Sequence, residues 1–545
     1  MRIIVLKFGS SVLRNEDDLP TAVHEIYRWW RDGYHVVAVV SAFGDTTNEL
    51  SRRAHSVCEQ PSDVLVARLL ATGEAASAAL LGLALKRAGF PASVFDAEQA
   101  GLVTDGPTLD AHPVSVDSAT LVAALRDGVV VLPGFVGRAH AGQTTLLGRG
   151  GSDLTALFLA QRLGGVCRLV KDVDGLYTSD PNCGTAAARF VRVSYATAAR
   201  VGGAVVQRKA IDFAERHRLK FTVSSVASDC ATEIGPHADS IALSKAQGKP
   251  LRVALLGYGT VGGGVYQRLA ALPEFFDVVG VGTRDTENFE ALLEGPVDVV
   301  VELLGGEEPA RTLISKALRL GRDVVTANKA LLAADITSLQ KLASINGVSL
   351  KYSAAVGGVL PVLETIERVR HEGPLQSISG VLNGTTNFIL DQLAQNISLA
   401  DALISAKQHG YAERNPQLDL DGTDAAQKLI LLARAAFDVS LPFSSITRQG
   451  IENLQHPKKT TRLVAECRRE ANGLSATVSP VELPVDHPLA RVSGVENRLL
   501  IQSESGKCWE ISGHGAGRWP TTEAVLADLF DLRRQETVAE QECVA

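Results

Sequence analysis

The sequence has no cysteine framework. Its seven cysteines, Cys58, Cys167, Cys183, Cys230, Cys467, Cys508 and Cys543, are odd in number, scattered, and never spaced C-x-x-C. That excludes a disulfide scaffold and a zinc ribbon and points to a reducing, cytoplasmic compartment. A basic surplus is also lacking. Against 54 Lys and Arg stand 61 Asp and Glu, a net charge of −7 spread over both halves, so there is no positive field to hold nucleic acid or an anionic membrane. No stretch approaches the roughly 20 uncharged apolar residues of a membrane span. The most apolar segment, Val64 to Leu85, is broken by Arg68 and Glu74 and reads as core. The opening residues, MRIIVLK, are a short apolar strand running into Gly9 rather than a signal peptide. Internal repeats, low-complexity tracts and long runs of like charge are absent. With 46% hydrophobic and 21% charged residues, 49 Gly and 21 Pro, disordered and collagen-like classes are excluded as well. The expectation is a soluble, globular chain of 545 residues, enough for three to five units at roughly 100 to 200 residues each, with small molecules as its partners.

What is present is an alternation of Val- and Ile-rich runs with amphipathic helical stretches. The runs are Ile3 to Leu6, Val36 to Val40, Val129 to Leu132 and Leu169 to Val170, then Arg252 to Leu256, Val278 to Val281, Val297 to Leu303 and Asp323 to Thr326. Buried parallel strands in α/β layers are the natural reading. The polar stretch 236–250 begins and ends with Pro and is followed at once by a new strand and a glycine turn, which places a linker there. Two glycine-rich turns mark the first half, Lys7-Phe8-Gly9-Ser10-Ser11 after the first strand and Gly148-Arg149-Gly150-Gly151-Ser152-Asp153 before a helix. Such turns let backbone N–H groups approach phosphate oxygens.

Those two turns occur in order with Val40-Ser41-Ala42, Thr46-Thr47-Asn48, Gly73-Glu74 and Asp172-Val173-Asp174-Gly175-Leu176-Tyr177 followed by Asp180-Pro181. Together they resemble the amino-acid kinase family, aspartate kinases in particular, over residues 1–235. The resemblance implies an α/β sandwich that transfers phosphate from ATP, with Mg2+, to the side-chain carboxylate of L-aspartate. It assigns Lys7 to the transferring phosphate and Asp153 to orienting it. Ser41, Thr47, Glu74 and Arg149 become substrate contacts, Glu74 on the α-ammonium and Arg149 on a carboxylate, and Asp172, Asp174 and Asp180 lie on the nucleotide side. Read without the resemblance, Glu74 is a solvated helix charge and the aspartates are loop caps. Three features depart from the family pattern. Ser10 replaces a second glycine, so crowding is expected there; Ala204 stands where the family has a lysine; and Val170-Lys171 replaces a Trp-Thr pair. Lys171 and Lys209 are both candidates to replace the missing cation.

In the second half, Arg252 to Gly262 reads as a strand, a G-x-G-x-x-G turn and a helix start, the order that dinucleotide binding requires. Gly257, Tyr258, Gly259, Thr260, Val261 and Gly262 are therefore cofactor residues. After the next strand, Arg284 could pair with a 2′-phosphate and Asp285 could accept from a 2′-hydroxyl, and the balance leans to NADPH over NADH. Val301 to Gly306, Thr326-Ala327-Asn328-Lys329, Asn383-Gly384-Thr385-Thr386-Asn387-Phe388, and Gly410 to Glu413 leading through Asp419 and Asp424 to Lys428 follow in turn. This order resembles homoserine dehydrogenases over residues 250–533. The resemblance implies reduction of L-aspartate 4-semialdehyde to L-homoserine, with Lys428 as proton donor or oxyanion partner and Lys329 as its companion. Glu413, Asp419 and Asp424 would hold the substrate ammonium and orient Lys428, and Thr326, Asn328 and Gly515 would contact the cofactor. Asp424 and Lys428 are four apart and share a helix face, although on spacing alone they would be a surface salt bridge. Glu302 is a strand-end residue near the nicotinamide. Val356 and Gly358 lie in a loop resembling one that holds Na+ or K+ through backbone carbonyls, with Ser353 where relatives often carry an acid.

The expected architecture is an N-terminal amino-acid-kinase α/β sandwich (1–235) and a linker (236–250), then a Rossmann-type NAD(P)-binding domain (251–380). An α+β substrate-binding and dimerisation domain (381–480) and a returning segment (481–545) complete it. A homodimer through the dehydrogenase part is implied. Too few residues lie between the modules, or after 533, for a regulatory domain of the kind such enzymes often carry. Two alternatives stay open: a degenerate kinase fold kept as a structural module, and a kinase for another acidic amino acid such as glutamate.

Overall fold

A computed structural model describes residues 1–180, 187–203, 205–242, 249–283, 289–412 and 415–542, with side chains to 535. The chain divides into two units, Met1–Gln247 and Gly248–Ala545.

In the first unit a nine-stranded sheet has Val166–Lys171, Ile3–Phe8 and His35–Val40 at its centre, all parallel. Apart from the first residues His35 and Val166, their Val- and Ile-rich sequences are buried, as expected for strands covered on both faces. The helix Gly151–Leu163 packs on this sheet, buried over most of its length. The helix Asp63–Arg87 is by length and composition apolar enough to cross a membrane. Here it turns Val66, Leu70, Ala78, Leu81 and Leu85 into the unit, together with Glu74. The sheet runs further than the sequence reading allowed. Ser240–Ile241 pairs antiparallel with Phe190–Ser194, and the Asp239 carboxylate accepts from Ser194 N and Thr197 Oγ1. Residues 236–242 thus belong to the first unit rather than to a linker, and residues 243–248 lie outside the described residues.

The second unit holds a five-stranded parallel sheet in the order Phe276–Gly282, Leu251–Leu256, Val299–Glu302, Asp323–Thr326, Leu350–Lys351. Strand order reverses between Leu251–Leu256 and Val299–Glu302, and that switch point opens a crevice at the carboxyl ends of the strands. A second sheet of six strands is antiparallel around Leu375–Val381, with Thr461–Glu470 on one side and Glu496–Ser503 on the other. Leu375–Val381 therefore belongs to this sheet and not to the dinucleotide domain, where the sequence reading had it. The helix Thr423–Phe437 packs against this sheet. The final helix, Arg518–Glu542, packs against Thr260–Ala270, with Phe530 edge-on to Phe275 and Phe276.

The glycine turn fits its spacing. Gly257 has φ +106°, and a Cβ at Gly262 would lie 2.1 Å from the Gly257 carbonyl oxygen. That partner is backbone and cannot swing away. Gly262→Ala is therefore expected to destabilise the second unit by about 1–3 kcal/mol, the usual range for overpacking, measured by urea unfolding. An unchanged midpoint would show that the turn can open.

Candidate active sites

Lys7 pairs in register with Leu169, and Lys171 lies two residues further along the same strand. Because side chains alternate across a strand, Lys7 and Lys171 share the sheet face covered by the helix Gly151–Leu163. The first turn of that helix carries Asp153. One carboxylate is thus held between two ammonium groups: Lys7 Nζ is 2.8 Å from Oδ1, and Lys171 Nζ is 2.9 Å from Oδ2. All three side chains are buried. Burial pushes Asp153 upward, but the two lysines outweigh it and hold the carboxyl below its ordinary value. Lys171 is pushed down to about 8, first by burial and then by Lys7, against the attraction of Asp153. Gly9 leaves the room this needs, since a Cβ there would stand 2.9 Å from Lys7 Nζ.

These groups floor a cavity of about 870 Å³. Ser41, Thr47, Glu74, Arg149 and Asp172 line it as well, so the expected substrate residues are brought together. Glu74 is only 2% exposed, which rules out a solvated helix charge. Its Oε2 has no hydrogen-bond partner among the described residues. Burial raises its carboxyl to about 8 against the nearby Ala42 backbone and Lys7. Ser10 brings no backbone strain: it is exposed, lines the cavity and lies outside the left-handed region. Asp174 and Asp180 do not line the cavity. Asp174 instead accepts from the Tyr177 hydroxyl at 2.6 Å and pairs with Arg189, tying the loop to the strand Phe190–Ser194. Ala204 lies outside the described residues. Lys209 is committed elsewhere, donating to Asp110 Oδ1 and to the carbonyls of Ala111 and Leu147.

The second unit repeats the device. Asp424, in the first turn of Thr423–Phe437, is 2.8 Å from Lys329 Nζ through Oδ1 and 3.1 Å from Lys428 Nζ through Oδ2. Burial pushes Asp424 up, and Lys428 and then Lys329 overcome it, holding the carboxyl far below the usual range. Asp424 and Lys428 are buried, so the pair is no surface salt bridge, while the Lys329 side chain is 40% exposed. Lys428 also donates to the Leu382 carbonyl at 2.7 Å, which accepts from Asn497 Nδ2 too. Asn383 opens the N-G-T-T-N stretch and was not singled out in the sequence. Its Oδ1 caps the helix Gly384–Leu393 at Thr386 N, and its Nδ2 donates to both Asp419 and Asp424. Burial raises the Asp419 carboxyl, with the Asp424 charge adding to it against the Asn383 hydrogen bond and the lysines. Glu413 lies outside the described residues.

The expected cofactor residues divide. Gly259 faces open space and Tyr258 is exposed, as a turn that receives a pyrophosphate requires. The side chains of Thr326 and Asn328 are spent internally. Thr326 Oγ1 donates to Glu302 at 2.6 Å, and Asn328 Nδ2 donates to the Gly306 carbonyl. Glu302 is fully buried and also accepts from Leu304 N, so it fixes the crevice wall. Gly515 packs on Asn497, where a Cβ would overlap Nδ2, and so stands beside the lysine pair rather than the glycine turn. Arg284 and Asp285 lie outside the described residues. Val356 and Gly358 are buried, and a Cβ at Gly358 would stand 2.9 Å from the Gly515 carbonyl oxygen and 3.1 Å from that of His514. The Ser353 hydroxyl donates to Glu364 at 2.7 Å, so position 353 has no carboxylate of its own but stands against one from the helix Val362–Arg370. Five of the cysteines, at 58, 167, 230, 467 and 508, are free thiols.

A glycine turn at a switch point, in a unit that also holds Lys428 and Lys329 on one buried aspartate, suits a dinucleotide-dependent oxidoreductase, and comparison with known proteins makes this specific. Residues 257–353 match the NAD binding domain of homoserine dehydrogenase, residues 361–530 the homoserine dehydrogenase model, and residues 2–225 the amino acid kinase family. The homoserine dehydrogenase of Corynebacterium glutamicum is 36% identical over 335 residues, covering 55% of this chain and 75% of that protein. That of Lactococcus lactis is 34% identical over 320 residues, covering 52% and 75%. A crystal structure of a homoserine dehydrogenase from Thiobacillus denitrificans shares 34% identity over 53% of this chain and 74% of that one, with a TM-score of 0.49. The chain belongs to the homoserine dehydrogenase family and carries an amino acid kinase domain ahead of it.

The buried Glu74 has a consequence for stability. The unfolded chain releases this proton near pH 4.5 and the folded chain near pH 8, so Glu74 removes stability progressively as the pH rises between those values. Glu74→Gln is expected to flatten that part of the decline in urea unfolding of the ligand-free protein from pH 5 to 8. An unchanged pH slope would mean that Glu74 ionises normally.

Proposed function

We propose that the second unit reduces L-aspartate 4-semialdehyde to L-homoserine with NADPH or NADH, and that the first unit phosphorylates the side-chain carboxylate of L-aspartate with ATP. The observation that carries the first reading is the Lys428 ammonium, buried and held between Asp424 and the Leu382 carbonyl. The nicotinamide cofactor supplies the hydride. As hydride reaches the aldehyde carbon, negative charge grows on the carbonyl oxygen, and a cation fixed in advance stabilises that charge more than it does the ground state. Lys428 or the more exposed Lys329 then gives that oxygen its proton. Asp424 keeps both ammonium groups in place, while Asp419, raised by burial, offers a carboxylate whose charged form a substrate ammonium would stabilise. A dimer would form through an edge of the six-stranded sheet.

The kinase reading rests on a cavity that gathers Lys7, Asp153, Ser41, Thr47, Glu74 and Arg149. An α-ammonium beside Glu74 would replace the missing partner of its buried oxygen and lower its pKa. Arg149 suits the α-carboxylate as a planar fork. Among the described residues no three His, Cys, Asp or Glu converge to hold a metal, so Mg2+ would arrive on the ATP phosphates. The assembled cavity favours a working kinase over a purely structural module. The two reactions are separated by an intervening reduction of the acyl phosphate, so the product of one site is not the substrate of the other.

Lys428→Ala is expected to lower kcat for semialdehyde reduction by about 10²–10³-fold, the usual cost of losing an oxyanion donor, with cofactor affinity little changed. A near-normal rate would pass the role to Lys329. For the kinase, ADP release should depend on L-aspartate and not on L-glutamate. No release with aspartate at millimolar concentration would reduce the first unit to a structural module.

A further inference from the structure

The first unit contains one lysine more than its buried aspartate can neutralise. Lys7 and Lys171 both lie against Asp153, so the triad carries a surplus positive charge in a place where an isolated charge is costly. Glu74, the nearby acid, is held protonated near neutral pH by burial and does not cancel that charge. A purely structural ion pair would need only one lysine. A second one, lining the cavity, is the arrangement of a site completed by an anionic ligand.

Resting on the kinase reading, we infer that Lys171 supplies the second cation to the phosphoryl group in flight, in place of the lysine that the sequence lacks at Ala204. Lys209, the other candidate, has its ammonium bonded to Asp110, Ala111 and Leu147. Lys171 reaches the site because it ends the strand Val166–Lys171 on the same face as Lys7, and Arg168 anchors that strand by pairing with the buried Glu25. In the transfer, an oxygen of the acceptor carboxylate attacks the γ-phosphorus. The new O–P bond forms as the bond from that phosphorus to the β–γ bridging oxygen breaks, and ADP leaves with the electron pair. The acceptor is already ionised, so no proton moves. Charge builds on the bridging oxygen and on the equatorial oxygens in flight, and two ammonium groups fixed by one carboxylate meet it without reorganising.

The test uses the full chain, MgATP and L-aspartate, with ADP release as the rate. Lys171→Met is expected to lower kcat by about 10²–10³-fold with a small change in KM for aspartate, and Lys171→Arg to restore much of it. Lys209→Met should leave kcat within a few-fold. Lys171→Met with a near-normal kcat, or a larger loss in Lys209→Met, would overturn the inference. An inactive wild type would instead overturn the kinase reading beneath it.

If Lys171→Met does not fold, the pH profile decides. The groups around Lys171 are Lys7 from Ile3–Phe8, Asp153 from Gly151–Leu163, the Cys167 thiol of its own strand, which burial pushes far up, and, lining the same cavity, Glu74, Arg149 and Asp172. Loss of the Lys171 proton lowers the rate as the pH passes about 8. Ionisation of Glu74 in the same range favours binding of an ammonium and acts with the opposite sign. Wild type should therefore lose rate between pH 7.5 and pH 9 on the order expected for one deprotonation, and Lys171→Arg should not. Identical alkaline limbs would show that Lys171 is structural.

Discussion

Each unit is organised around one carboxylate buried between two ammonium groups. Removing a carboxylate from water costs several kcal/mol, and a single lysine facing it would give a neutral, self-contained pair. With two lysines the carboxylate stays ionised whatever its burial, and the cluster keeps a net positive charge. Asp153 does this for Lys7 and Lys171, and Asp424 does it for Lys329 and Lys428. The two clusters differ in how open they are. The first is buried at all three side chains, whereas Lys329 is well exposed. Both carry a prepaid electrostatic preference for negative charge, the property that the proposed transfers to a carboxylate and to a carbonyl would each use.

The surrounding structure holds these clusters to their geometry. In the first unit the two lysines come from adjacent parallel strands whose backbone hydrogen bonds fix their separation, and the aspartate comes from the first turn of a helix packed on the same sheet. In the second unit Asn383 couples a helix cap to two carboxylates, and the Leu382 carbonyl receives both Lys428 and Asn497. These interior polar groups have mutual partners, so displacing one would leave others unsatisfied in low dielectric. Glu302 plays a similar part for the crevice wall through Thr326 and Leu304.

Much of this was legible in the sequence. The Val- and Ile-rich runs became strands within a few residues of their expected ends, because buried parallel strands carry an unbroken apolar signal. Lys7, Glu74, Arg149 and Asp153, each read from a short motif, line one cavity. Interactions between elements distant in the chain were less visible. That Lys171 rather than Lys209 meets Asp153 depends on strand register. The internal use of Thr326 and Asn328 depends on Glu302, some 25 residues away in sequence. The short strand Ser240–Ile241 was hidden because two exposed residues leave no periodic signal.

The helix Arg518–Glu542 returns to cover Thr260–Ala270, with Phe530 against Phe275 and Phe276. Order along the chain is therefore not order of assembly. A ribosome delivers the glycine turn and its first helix long before the surface that buries them, so the dinucleotide-binding half must wait with an uncovered apolar face until Phe530 has emerged. The substrate half, inserted between, is completed only by strands near the same end of the chain. The substrate half, Leu375 to His514, is one contiguous insertion, whereas the dinucleotide-binding half is split around it and cannot be inherited or exchanged as a single piece of sequence.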